Sequence, residues 1–204
     1  MNHDKVLEVE NITKVYGKGE NRTEALKGIS FDVLEGEFLG IMGPSGSGKT
    51  TLLNSIATMI KVTSGKIWLK GEDISSFKGK ELSGYRGKAI GYLFQEFELL
   101  DNLTGRENII LPLSLHGMTG RESESSLKRL AWHFGIEDEL DKFPSQMSGG
   151  QKQRVAAARA LIGNPGIVLA DEPTGALDSR NSKVLMDRLS ALNEDEGRTI
   201  VMVT

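Results

Sequence analysis

The chain has 204 residues, which suits one domain or a main domain with a small appended lobe. Charged residues make up 26% and hydrophobic ones 38%, the balance of a soluble globular protein, and a formal charge of −3 argues against a non-specific nucleic-acid binder, which would carry a basic surplus. With no Cys, disulfides and thiolate metal sites are excluded, and no uninterrupted apolar run is long enough to span a membrane.

The first five residues, Met1 to Lys5, lack the apolar core of a signal peptide, so a reducing cytosol is the default setting. Val6 to Ile12 alternates apolar and polar residues and predicts a half-exposed strand, closed by Thr13 to Gly17. A polar turn over Lys18 to Thr23 separates it from a second alternating run, Ala25 to Val33. Tyr16 reads either as a ring for stacking on a purine or as a strand-end aromatic covering the core edge.

Glu37 to Met42 predicts a strand and Thr51 to Ala57 a helix. Between them lies Gly43-Pro44-Ser45-Gly46-Ser47-Gly48-Lys49-Thr50, which fits the phosphate-binding pattern G-x-x-x-x-G-K-[ST]. The strand–loop–helix setting is what that pattern needs, because loop amides and a helix N-terminus together hold an anion. Gly46 and Gly48 let the backbone approach phosphates, Lys49 can reach the β and γ oxygens, and the Thr50 hydroxyl can ligate Mg²⁺. The rival reading is a Gly/Ser turn followed by an ordinary Lys.

Ile67 to Glu72 predicts a short strand and turn, with Trp68 a packing residue. Lys78 to Arg86 is polar and glycine-broken, and reads as a short helix. Ala89 to Phe94 predicts a buried strand ending at Gln95, which is either a loop residue or a contact to Mg²⁺ or water where parallel sheets bind ligands. Thr104 and Glu107 form a capping-box pair at the start of a helix that should kink or end at Pro112. Arg121 to Phe134 predicts a second helix with Leu127, Leu130, Ala131 and Phe134 on one face, and this stretch reads as a helical lobe inserted in an α/β core. His116 and His133 have no partner at metal-ligand spacing.

Ser148-Gly149-Gly150-Gln151 opens a helix through Val155, Ala158, Leu161 and Ile162, ended by Asn164-Pro165-Gly166. By itself Ser-Gly-Gly reads as an N-cap serine with two flexible glycines rather than as an anion-facing helix start. Ile167 to Asp171 is an apolar strand running into Asp171-Glu172. Below a phosphate loop, such an Asp helps hold Mg²⁺ and an adjacent Glu can polarise the attacking water. Ala176-Leu177-Asp178 leads into a helix over Ser179 to Asn193, with Val184, Leu185, Leu189 and Leu192 on one face, and Arg198 to Thr204 is β-rich.

Taken in order, Gly43–Thr50, Gln95, Ser148–Gln151, Asp171-Glu172 and Ala176-Leu177-Asp178 resemble the nucleotide-binding subunit of an ABC transporter, over essentially the whole chain. The resemblance implies an α/β fold: a phosphate-loop NTPase core with a mixed sheet, an N-terminal antiparallel β subdomain and an inserted α-helical lobe. It implies a core over 1–95 and 164–204 and a lobe over 96–163. The expected cofactors are ATP and Mg²⁺. Gly43 to Thr50 and Thr51 would hold the phosphates, Tyr16 would stack on adenine, and Thr50, Gln95 and Asp171 would hold the metal. Glu172 and Gln95 would be catalytic. Ser148, Gly149, Gly150 and Gln151 would act on the nucleotide of a second copy, with Asp178 beside them. Partners would be that second copy and a transmembrane permease, placing the chain on the cytoplasmic face of the membrane.

Phe94–Leu100, Leu103–Ile109 and Ala170–Asp178 are similar to the ATPases of lipoprotein-release, macrolide-efflux and antimicrobial-peptide-resistance systems, and Leu99–Leu103 with Ile110–Leu113 leans toward the last. The family carries a switch histidine just after the strand that here ends at Val203-Thr204, and His3, His116 and His133 are not placed to replace it. The expectation is a shortened domain that binds ATP better than it hydrolyses it. Two other classes share parts of the pattern. A soluble ABC ATPase of DNA maintenance would insert a coiled coil between Lys49 and Ser148, where no sustained heptads occur. A regulatory module without turnover is disfavoured by Glu172 and favoured by the missing histidine.

Overall fold

Alternating side chains draw most of the N-terminal third into one antiparallel sheet. The structure, a computed structural model, describes residues 4–79, 82, 85, 89–118 and 120–204. In this sheet β1 (Lys5–Tyr16) lies between β2 (Thr23–Leu34) and β4 (Ser64–Leu69), with β5 (Glu72–Asp73) on the edge. β1 continues past the end its alternation predicts. Asn11 takes a left-handed φ of 44°, the register shifts there, and its amide turns to the Ser30 hydroxyl at 2.8 Å. The bulge breaks the period of two without ending the strand.

The second sheet is wholly parallel, in the order β3-β8-β7-β6, so the mixture of strand senses expected for the core is divided between two sheets. Its strands are β3 (Phe38–Ile41), β6 (Ile90–Leu93), β7 (Ile167–Asp171) and β8 (Ile200–Val203). β7 is buried at every position, as a strand covered on both faces must be. Ile167, Leu169, Val201 and Val203 point to α1 (Lys49–Ile56) and the antiparallel sheet, where they meet Leu53, Ile56, Leu7 and Ile67. Val168, Ala170 and Ile200 point the other way, into one continuous core with Ile109, Leu127, Phe134 and Ala157 of the helical layer.

That layer holds α2 (Gly105–Leu115), α3 (Arg121–Phe134), α4 (Gly149–Leu161) and α5 (Ser179–Glu196). Thr104 and Glu107 form the expected capping box on α2, and the α3 face is buried at Leu127, Leu130, Ala131 and Phe134. Two boundaries differ from expectation. α2 runs three residues beyond Pro112, because Leu113 is buried in the core and holds the last turn in place. α5 continues to Glu196, where Gly197 in a left-handed conformation (φ 65°) caps it. Within α5, Leu185, Leu189 and Leu192 are buried and Val184 only partly so. The helix expected over 78–86 falls largely outside the described residues.

β6 and α4 approach so closely that a Cβ on Gly91 would collide with the Ala160 carbonyl oxygen and press on Pro165. Gly91→Ala is expected to destabilise the protein by about 1–3 kcal/mol through overpacking, read as a lower urea midpoint. An unchanged midpoint would show that strand and helix do not meet in this way.

Candidate nucleotide site

All four parallel strands end on the same edge of their sheet, and the candidate residues gather there. β3 leads through Met42 into loop 43–48, and α1 leaves that loop at Lys49. Gly46 has φ 78° and Gly48, the residue before α1, has φ 92°. A Cβ on Gly48 would strike the Ala25 carbonyl oxygen, so glycine is required there for space as well as conformation. Ser47 donates its amide to the Pro44 carbonyl, while the amides of Ser45, Gly46, Gly48 and Lys49 have no partner among the described residues. Free N–H groups converging at a helix start form a cradle for an anion. Lys49 folds over it, its ammonium 2.8 Å from Gly43 O, 3.3 Å from Pro44 O and 3.5 Å from Glu172 Oε1.

Thr50 and Asp171 are far apart in sequence and meet here: the Thr50 hydroxyl donates to Asp171 Oδ1 at 3.0 Å. The other carboxylate oxygen, Oδ2, accepts from the Tyr92 hydroxyl at 3.3 Å, and Tyr92 also lies 2.9 Å from Asn54 Oδ1 on α1. Burial holds the Asp171 carboxyl above the usual carboxylate range, opposed by the bonds from Thr50 and Tyr92. Burial, with the Asp171 charge beside it, also raises the Tyr92 phenol, which therefore keeps its proton at neutral pH. Glu172 follows with φ 42°, uncommon for a side chain with a Cβ, held by its amide on Val203 O and by the Gly175 amide on its own carbonyl. Gln95 is exposed just after β6, and a Cβ on Gly175 would come within 2.9 Å of its Nε2, so Gln95 stands over the turn that follows Glu172.

Ser148, Gly149, Gly150 and Gln151 sit at the start of α4 and do not hydrogen-bond to the loop. Ser148 and Gln151 cap each other, amide to Oε1 at 2.7 Å and amide to Oγ at 3.3 Å. Gly150 is buried against Asn181, whose amide group would occupy the space of a Cβ. Asn181 in turn donates to both carboxylate oxygens of Asp178 at 2.8 Å, so the starts of α4 and α5 form one surface. Tyr16 lies apart, half-exposed at the end of β1, with the Lys14 ammonium 4.9 Å from its ring centre.

Comparison with known proteins places this arrangement. The family model described as ABC transporter matches residues 26–175. The bacitracin export ATP-binding protein BceA of Halalkalibacterium halodurans is 49% identical over 199 residues, 98% of this chain and 79% of that protein. The macrolide export ATP-binding/permease protein MacB of Syntrophobacter fumaroxidans is 43% identical over 204 residues, 98% of this chain and 28% of that protein. A dimeric, post-hydrolysis structure of the ATP-binding cassette MJ0796 bound to ADP and Pi superposes with a TM-score of 0.88 at 42% identity, covering 97% of this chain and 87% of that one. This chain belongs to the ABC transporter family. It is an ATP-binding ATPase with the fold of the ABC cassettes.

Several residues that complete this cassette carry no signal that pattern reading detects. Gln153 is fully buried and donates to Phe94 O at 3.0 Å and Pro173 O at 2.7 Å, joining α4 to the segments that carry Gln95 and Glu172. Arg159 donates to the Phe97 and Glu98 carbonyls, where both residues have positive φ. Tyr92 and Asn54 likewise act through distant partners, and Asn181 links the nearby Asp178 to the distant Arg154. Only a helix-face count would have marked Gln153, as a polar residue on the apolar side of α4.

Proposed function

We propose that this chain powers a membrane transporter by closing on ATP against a second copy of itself. Gly43 to Thr51 take the phosphates, through the free loop amides and the Lys49 ammonium. Tyr16 stacks on adenine, and Gln95 lines the reacting edge. Thr50 and Asp171 suit Mg²⁺: both offer hard oxygen atoms, they are already hydrogen-bonded together, and the carboxylate is buried. No group of three or more His, Asp or Glu side chains is placed to hold a metal ion among the described residues, which fits an ion that takes its remaining ligands from phosphate and water. When bound, the ion supplies neutralising charge at the β and γ oxygens.

Glu172 is the general base. Its backbone is fixed on both sides by hydrogen bonds, so the carboxylate is held at the end of β7 beside the phosphate cradle. Ser148 to Gln151, with Asp178 near them, face away from their own loop, and their helix start completes the site of the opposite copy. The observation that carries this reading is the split between the two halves. Thr50 is bonded to Asp171 and Lys49 to Glu172, while the start of α4 bonds within itself and to Glu139, and packs on Asn181 of α5. The dimeric state of the MJ0796 cassette supports it.

The division into a core (1–95, 164–204) and a helical lobe (96–163) follows the same logic, with the lobe and the Gln95–Leu103 segment meeting a transmembrane permease. The chain then sits on the cytoplasmic face of the membrane through that partner. Export or membrane extraction of a peptide, lipoprotein or antibiotic-like substrate is favoured by the named activities of the BceA and MacB relatives. Ser148→Arg tests the sandwich. The added side chain should lower ATP-dependent pairing at least tenfold, measured by light scattering, and leave ATP binding by the monomer within about twofold. Normal pairing of this variant would refute the head-to-tail arrangement.

A further inference from the structure

We infer that Tyr92 is a positioning residue for the metal-holding carboxylate: bound to Asn54 of α1 on one side and to Asp171 of β7 on the other, it fixes the rotation of Asp171 and thereby sets how strongly Mg²⁺ adds to ATP binding. This rests on the assignment of Asp171 to the metal made above.

The strand register places the two groups together. Tyr92 is paired with Leu169 across the β6–β7 ladder, and Asp171 lies two residues further along on the same face. The Tyr92 ring is itself held, packed at a tilt against Phe94 with ring centres 4.4 Å apart. Its hydroxyl therefore arrives at Asp171 Oδ2 from β6 while Thr50 arrives at Oδ1 from α1. A carboxylate turns easily about its last torsion. Held by two donors from two different elements, it has one orientation; held by Thr50 alone, it has many.

Asn54 gives the arrangement its direction. A phenol has one proton, and two acceptor oxygens lie within reach of it, at 2.9 Å and 3.3 Å. The two ends of an amide are equivalent in shape. With the Asn54 amide turned over, its N–H donates to the phenol oxygen and leaves the phenolic proton for Asp171. In that orientation the chain of donors runs from Asn54 to Tyr92 to Asp171, with its positive end on the carboxylate. Hydrogen bonds that orient a metal ligand in this way are worth tenfold to a hundredfold in metal affinity. A tyrosine that only filled space between β6 and α1 would contribute equally whether or not the metal was present.

Tyr92→Phe separates these roles, because it keeps the ring and removes the donor. ATP affinity is measured with Mg²⁺ and again in EDTA, and Mn²⁺ binding to the ATP-loaded protein is followed by its electron paramagnetic resonance signal. The gain in ATP affinity on adding Mg²⁺ should fall about tenfold and Mn²⁺ should bind correspondingly more weakly, with affinity in EDTA unchanged. Asn54→Ala, which leaves the tyrosine in place, should move the same two quantities in the same direction by a smaller factor. Equal losses with and without metal, or no loss in either, would overturn the inference. Asp171→Asn distinguishes the two levels of the argument. If it keeps the Mg²⁺ gain, the assignment of Asp171 is wrong; if it abolishes the gain while Tyr92→Phe retains it, only the role of Tyr92 falls.

Discussion

Lys49→Ala should weaken ATP binding on the order of a hundredfold, about 3 kcal/mol, the range of hydrogen bonds to charged groups. The ammonium has three protons and the structure shows three acceptors for them: Gly43 O, Pro44 O and Glu172 Oε1. The two carbonyls hold it over the cradle, and the Glu172 contact is the longest at 3.5 Å, the one a phosphate oxygen displaces most easily. Removing the side chain therefore takes away a pre-placed cation without dismantling anything beneath it. Folding stability should fall by only about 1 kcal/mol, because the loop is exposed and what is lost there is the ammonium's bonds to the Gly43 and Pro44 carbonyls. Equilibrium dialysis against ATP measures the first effect and thermal melting the second. Binding as tight as in the parent protein would remove Lys49, and with it the loop, from the phosphate site.

What the sequence made legible depended on how far each constraint reaches along the chain. The loop 43–50 is a local device, since glycines, lysine and helix start are all set within a few residues, and each has the geometry its pattern predicts. The α3 face is equally local and was read to the residue. Asn11 shows one way in which this fails: a bulge whose cause is Ser30 on the neighbouring strand breaks an alternation that the strand itself survives. Pro112 shows another, because a breaker is overruled when the turn beyond it is anchored by a buried Leu113. The supporting polar groups were the least visible. Gln153 and Tyr92 do nothing for their immediate neighbours, and their partners come from other elements, at Pro173 and Asp171, while Asn181 joins the N-cap Asp178 of its own helix to Arg154 of α4. Pattern reading finds groups that would touch a ligand and passes over those that hold them in place.

Glu172→Gln should keep ATP binding and lose turnover, and the ATP-bound pair should persist. The substitution preserves shape, and the unusual backbone is fixed independently of the carboxylate: φ is 42° because the Glu172 amide is tied to Val203 O at 3.0 Å and its carbonyl accepts from Gly175 at 2.9 Å. A non-glycine residue in this conformation costs of order 1–3 kcal/mol, a strain that recurs where a side chain must be aimed. An amide aimed in the same way cannot accept a proton from water. The expected loss is on the order of a hundredfold to ten-thousandfold in single-turnover phosphate release, a measurement that registers slow hydrolysis. Binding should hold or tighten, since the change removes a negative charge that lies 3.5 Å from Lys49 and close to where phosphates must sit. With the bond to the γ-phosphate intact, nothing drives the two copies apart, so light scattering in ATP should report a lasting dimer. Undiminished phosphate release would take Glu172 out of the catalytic role and leave its backbone strain without that explanation.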